Sequence, residues 1–242
     1  MAEAPIPGLA EQFKTEAVRV GAIVYQTGDA RDAASYVLKV AREHDVKRVV
    51  KSRSIAAEEI GLAKYLEDAG IELVETSIER QGGEGDLLGD LEPATELLSK
   101  AASARLEPDS RLRLRRYLRQ SILNADMGIS GANIAVAETG TLFIMDGEGD
   151  ARLVATFPPL HMALVGGEKL VATLGDAIKL LGKIGAGRRM PRYITCITGR
   201  STTADIPGAP LLPAQGPAEV HIVLLDSHKP AGELNPETYR LP

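Results

Sequence analysis

The stretch from Ala22 to Thr76 constrains the fold more than any other part of the chain. "AIVYQT" (22–27) has the apolar, β-branched character of a strand, and Asp29 stands where an N-cap belongs for the helix "ARDAASYVLKVAREH". "VKRVVKS" follows as a strand, "SIAAEEIGLAKYLEDAG" as a helix ending at Gly70, and "IELVET" as a third strand. Within the second helix Ile55, Ile60, Leu62 and Leu66 recur at helical spacing, whereas the strands bunch their apolar residues. Strand–helix–strand–helix–strand with short joins implies right-handed crossovers and a parallel sheet. Aromatic residues make up only 4% of the chain and Trp is absent, so Ala, Val, Ile and Leu must build the core. That aliphatic make-up suits a parallel sheet covered by helices.

Beyond Thr76 the pattern changes. "QGGEGDLLGD" reads as a loop over 81–89, and a helical region is expected from about Pro93 to Asn124, broken near Pro108. Short strands then follow between Gly and Pro turns: "NIAVAE", "TLFIMD", "RLVATF" and "HMALVG". Their spacing suggests antiparallel or mixed pairing. "TLGDAIKLLGKI" is expected to be a helix, "PRYITCITG" and "EVHIVLLD" strands, and the tail after Asp226 extended. The 242 residues suffice for one good-sized α/β domain or two small ones, and one is favoured.

A net charge of −5 gives no general attraction to nucleic acid or to anionic membranes. The helix "RLRLRRYLRQ" concentrates Arg111, Arg113, Arg115, Arg116 and Arg119, yet no aromatic platform accompanies it. It reads as a solvated face rather than a nucleic-acid surface. The single cysteine, Cys196, excludes an internal disulfide and any Cys-x-x-Cys metal or cluster motif; lying in a strand, it is expected to be a buried, inert thiol. The N-terminal "MAEAPIPGLAEQF" has neither the basic start of a signal peptide nor an Arg-rich amphipathic pattern. No run approaches the roughly 20 apolar residues of a membrane helix. A cytoplasmic protein is expected.

Several polar residues interrupt apolar stretches and need an explanation. Lys51, Ser52, Arg53 and Ser54 stand at the carboxyl end of a parallel strand, where open α/β sheets bind ligands. Ser54 also caps the following helix, with Glu58 in its first turn. Glu138 ends an apolar strand before a Thr139-Gly140 turn: it either bonds turn amides or serves as a rim carboxylate. Asn133 after Gly131 either stabilises its own backbone or faces a ligand. His161 opens an apolar strand, where a lone His is usually structural, and a metal role has no support from neighbouring ligands in sequence. Glu168 and Lys169 follow the next strand end. The hydroxyl-rich loop Gly199, Ser201, Thr202 to Asp205 could present donors to an anion, without Walker-A spacing.

Four separated segments resemble the lactate-utilisation (LUD) domain family: "VKRVVKSRSIAAEEIGL", "ADMGISGANIAVAETGTL", "EGDARLVATFPPLHMALVGGEKLVATLGDA" and "TGRSTTADI" followed by "GPAEVHIVLLD". They lie in the family's order over about residues 20 to 227. The resemblance implies an α/β fold like that of ribose-5-phosphate isomerase (NagB/RpiA) and the CoA transferases, mainly a parallel sheet with a smaller mixed or antiparallel portion. It divides the chain into an extension (1–20), the LUD domain (21–227) and a tail (228–242). It also implies bacterial oxidation of L-lactate to pyruvate within a multi-subunit system that includes iron–sulfur proteins. With Cys196 alone and an end at Pro242, the chain is expected to be the short, cluster-free member, similar to lactate utilisation protein C or the N-terminal part of protein B. No cofactor is expected in this chain, and any iron–sulfur cluster belongs to a partner. CoA transferases of this fold carry their catalytic glutamate in a Glu-x-Gly turn, to which Glu138-Thr139-Gly140 is similar.

The leading expectation is a LUD subunit binding a small anion through Lys51, Ser52, Ser54, Gly131, Asn133, Thr139, Gly140, His161, Glu168, Lys169, Gly199, Ser201, Thr202 and Asp205, with Glu138 as acid/base or orienting group. Two alternatives stay open. One is a stand-alone enzyme acting on an acyl-CoA or sugar phosphate. The other is a non-catalytic scaffold for an iron–sulfur partner, docked through the Arg111–Arg119 helix. Neither nucleic acid nor membrane is expected as a partner, and homo-oligomerisation is left open.

Overall fold

The computed structural model describes residues 8–76, 108–147, 149–187, 191–202 and 215–226, with side chains at all of these except 108–113 and 185–187. The expected loop at 81–89, the first half of the helical region from Pro93, Asp205 and the tail lie outside the described residues.

The first half assembles as its alternation implies. α1 (Leu9–Arg19) leads into β1 (Ile23–Thr27), and Asp29 then opens α2 (Ala30–Glu43) by accepting the Asp32 N–H at 2.8 Å. Ala33, Ala34, Val37, Val40 and Ala41 form the buried stripe of α2. β2 (Arg48–Lys51) follows. The single helix expected over 54–70 is two, α3 (Ile55–Glu59) and α4 (Leu62–Asp68). Gly61, at φ 62°, sits between them in the left-handed region and breaks the ladder there. β3 (Glu72–Glu75) completes this unit.

Next come α5 (Pro108–Leu123), β4 (Met127–Gly131), β5 (Ile134–Val136), β6 (Thr141–Asp146) and α6 (Asp150–Thr156). β7 (Leu160–Gly166), a 3₁₀ turn (Gly167–Lys169), β8 (Leu170–Val171), α7 (Leu174–Gly187), β9 (Tyr193–Thr198) and β10 (Glu219–Leu225) follow. Six strands form one parallel sheet in the order β1-β10-β7-β4-β2-β3. The other four form a mixed sheet, β8-β5-β6-β9, parallel only between β5 and β8. Of the four short segments expected to pair in antiparallel or mixed fashion, only β5 and β6 lie in the mixed sheet; "HMALVG" is β7, paired parallel to β10 and β4 inside the large sheet.

Two cores flank the large sheet. On one face α2, α3 and α4 pack Val37, Leu62 and Leu66 against Met127, Ile129, Met162, Leu164 and Val223. On the other, Phe13 and Ala17 of α1 join Ala163, Val165, Ile222 and Leu224, and the same cluster takes in Ala135, Leu142 and Leu170 of the small sheet. Residues 9–19, read from the sequence as an extension, therefore belong to the core. α7 covers the far face of the small sheet with Ala177, Leu180, Leu181 and Ile184. Fully burying one such Leu or Ile side chain is worth about 1.5–3 kcal/mol. Among the described residues no helix is long and apolar enough to cross a membrane.

Three local expectations are corrected. "RLVATF" is not a strand but most of α6, whose buried residues Ala151, Val154 and Ala155 fall at helical spacing. Asp146 holds its start, its carboxylate accepting the N–H groups of Gly149 and, at 3.3 Å, Arg152. β4, a central strand, was not marked as one; its Gly128 lets α6 approach so closely that a Cβ there would collide with the Val154 carbonyl. Cys196 is exposed, because β9 is an edge strand paired only with β6, although partial burial still pushes its thiol up.

Candidate functional site

Parallel pairing brings strand ends together that are far apart in the chain. Lys51, the last residue of β2, stands beside Glu75 of β3 on one side and Ile129 of β4 on the other. The Lys51 side chain is only 5% exposed and its ammonium is ion-paired with the Glu75 carboxylate. Lys51 Nζ also lies 3.4 Å from the Ser52 carbonyl, to which it donates. A buried ammonium needs such partners, since desolvating it alone would be prohibitive.

Ser52 is 1% exposed; its N–H donates to the Ile129 carbonyl at 3.0 Å, but its hydroxyl has no hydrogen-bond partner among the described residues. Beside it Thr76 donates its N–H to the Lys51 carbonyl at 2.8 Å and its hydroxyl to Asp150 Oδ2 at 2.9 Å. Asp150 is the first residue of α6, so helix and strand ends converge on one spot. Burial pushes the Glu75 carboxyl up, Lys51 opposes this, and the nearby charges of Glu58 and Asp150 add to the rise.

Ser54 caps α3, accepting the Ala57 N–H at 3.2 Å. It also packs on Gly131 at the end of β4, where a Cβ would come within 2.7 Å of the Ser54 hydroxyl. At the end of β7 the Glu168 carboxylate folds over Gly166, leaving no room there for a Cβ, with Lys169 Nζ 3.8 Å away. Lys51, Ser52, Ser54, Gly131, Glu168 and Lys169 thus all stand at carboxyl ends of the large sheet. Asn133 lies just beyond, but its Oδ1 accepts the Met145 N–H at 2.8 Å and its own N–H donates to the Phe143 carbonyl. It ties β5 to β6.

The remaining expected residues are elsewhere. Glu138 is exposed and its Oε2 accepts the Leu174 N–H at 3.0 Å, capping the start of α7. Gly140, at φ 64°, abuts the Ala17 backbone near the end of α1, which leads to the amino end of β1. Thr139 starts a hydroxyl chain through Thr141 to Thr198, with steps of 2.7 and 2.8 Å. Gly199 packs on the Val20 carbonyl and Ser201 on Gly216, shortly before β10; Thr202, next in the loop, is exposed. This group occupies the amino end of the large sheet, opposite Lys51. His161 is fully buried, its Nε2 2.8 Å from the Ser130 hydroxyl and its Nδ1 without a partner among the described residues. Burial pushes its pKa down to about 4. Arg115, Arg116 and Arg119 are exposed and form no ion pair among the described residues; the side chains of Arg111 and Arg113 lie outside them.

Sequence reasoning missed Glu75, Thr76, Asp150 and Ser130. A signal for the first two existed: "VVKS" and "LVET" both end strands of one parallel unit, so Lys51 and Glu75 become neighbours as soon as β2 and β3 pair. Asp150 has none once the residues just after it, "RLVATF", are read as a strand.

A family model described as the LUD domain matches residues 10–225. YkgF of Escherichia coli (strain K12), described as an uncharacterized electron transport protein, is 31% identical over 237 residues, covering 89% of this chain and 47% of its own length. Lactate utilization protein B of Shouchella clausii (strain KSM-K16) is 31% identical over 238 residues, with 89% and 48% covered. The protein of that name from Bacillus subtilis (strain 168) is 30% identical over 238 residues, with 89% and 47% covered. The chain spans about half the length of these curated relatives. A crystal structure of a DUF162 family protein from Deinococcus radiodurans matches with a TM-score of 0.54 at 15% identity, over 90% of this chain and 97% of that one. That likeness speaks to the fold alone.

Proposed function

Because this chain belongs to the LUD domain family, we propose that it serves lactate utilisation, the role named for its protein B relatives. Its part would be to hold a small carboxylate such as L-lactate at the carboxyl ends of β2, β3 and β4 during oxidation to pyruvate. One observation carries this reading: the Ser52 hydroxyl is buried and has no hydrogen-bond partner among the described residues, beside buried Lys51 and its half-buried partner Glu75. A buried hydroxyl without a partner marks a place where a ligand oxygen gains a hydrogen bond that the free protein lacks.

The chemistry follows from the charges. An incoming carboxylate takes the place of Glu75 on Lys51 Nζ and accepts from Ser52 Oγ. Glu75, deprived of its counter-ion and already raised by burial, then takes up a proton, so the site exchanges one anion for another without gaining net charge. Glu75 is the group placed to carry protons, whereas Glu138 is committed to the start of α7. An iron–sulfur cluster needs several thiolates, and the one cysteine in these 242 residues cannot supply them. We therefore place any such cluster outside these 242 residues, as on a partner protein.

The test is growth on L-lactate as sole carbon source. Deleting the gene should stop growth, the wild-type gene should restore it, and Lys51→Met, accumulating to normal levels, should not. Undiminished growth of the deletion strain would refute the role.

A further inference from the structure

At the amino end of the large sheet, opposite the Lys51 cluster, α2 ends on His44, and β10 opens with Glu219 and presents His221 two residues later. His221 Nε2 is 3.3 Å from Glu219 Oε2, and His44 Nε2 is 3.5 Å from the same oxygen. One donor atom from each of the three residues lies within 4.8 Å of the other two. We propose that His44, Glu219 and His221 bind a first-row divalent transition metal ion of the Zn²⁺ class.

The donor spacing supports this. Four donors placed tetrahedrally at 2.0–2.1 Å from Zn²⁺ are about 3.3 Å apart. Two of the three separations are already close to that, and His44, at a helix end and 37% exposed, is free to adjust. Two imidazoles and a carboxylate suit Zn²⁺, Co²⁺, Ni²⁺ or Cu²⁺ rather than the all-oxygen preference of Mg²⁺ and Ca²⁺.

The support around the ligands is that of a built site. The Tyr36 hydroxyl lies 2.9 Å from His221 Nδ1, fixing the ring and turning Nε2 toward the other two donors. Tyr36 is itself held by stacking on Tyr25, ring centroids 4.0 Å apart and 2° from parallel, and the Tyr25 hydroxyl donates to Asp32 at 2.7 Å. Burial favours the neutral imidazole of His221, the form that ligates. Glu219, at 43% exposed, leaves the group open to solvent, so an ion held here keeps a fourth position for water or a small ligand. His44 and His221 are remote in sequence, and only the crossing of α2 over β10 makes them neighbours.

The experiment titrates the chelator-treated full chain with Zn²⁺ by calorimetry and with Co²⁺ by visible absorption. One equivalent should bind, with the intense d–d bands of tetrahedral Co²⁺. His44→Ala and Glu219→Gln, both at solvent-accessible positions that leave the core intact, should each weaken binding at least tenfold. Tyr36→Phe should weaken it roughly 10- to 100-fold by freeing the His221 ring. No stoichiometric binding, or an affinity unchanged by His44→Ala and Glu219→Gln, would overturn the proposal.

Discussion

His161 shows how a residue can look functional in sequence and turn structural in place. It lies within the large sheet with its Nε2 on Ser130, and its pKa falls to about 4 because nothing there solvates an imidazolium. An unfolded imidazole titrates near 6.5, so as pH drops the unfolded chain takes up a proton that the folded chain refuses. The stability that neutral His161 contributes is thus whole above about pH 6.5 and is lost as pH falls toward about 4, some 3 kcal/mol in all. Glu75 acts in the opposite sense, its raised carboxyl costing stability as pH rises through its folded value. An NMR titration of the His161 ring separates the two. A midpoint near 4 is expected, and one near 6.5 would contradict the buried placement.

Among the elements, α7 owes its start to a side chain from another segment. The Leu174 N–H is accepted by Glu138, at the end of the β5 segment, while the Glu138 N–H returns to the Ala172 carbonyl. Glu138→Ala should lower stability by about 0.5–1 kcal/mol in urea denaturation. Glu138→Gln, which keeps an acceptor oxygen, should lose less and leave ligand binding intact. Lost ligand binding with normal stability in Glu138→Gln would return this residue to the site. Most other elements were legible because their signals are local. Asp29 and Ser54 sit where caps belong, and Val37, Val40 and Ala41 fall on one helical face. What failed depended on tertiary context. Gly128 and Gly131 give β4 little strand character, yet both are needed for close approaches, to α6 and to Ser54. In α6, three consecutive apolar residues fit either period, and only packing of Val154 on Val50 and Val74 decides.

Across the whole molecule, the parallel sheet was legible in the alternation of residues 22–76, and a second, mixed sheet in the short strands after Asn133. The candidate site was only half legible. Lys51, Ser52, Ser54, Gly131, Glu168 and Lys169 converge at strand carboxyl ends, as parallel topology dictates. Glu138 to Gly140, Gly199 and Ser201 share the sequence signature of strand-end polar residues, but their strands belong to the small sheet, whose direction carries them to the other end. Polar residues at strand ends reveal that an edge exists, not which edge; the sheet order decides that.

On the proposed reading, a small carboxylate replaces Glu75 on Lys51, and Glu75 takes up a proton from solvent. Calorimetric titration of the full chain with L-lactate, in two buffers of different ionisation enthalpy, tests it directly. Saturable binding with net proton uptake, tightening as pH falls, is expected, with loss of binding in Lys51→Met and at least tenfold weakening in Ser52→Ala. Binding without proton uptake, or binding that survives both substitutions, would contradict it.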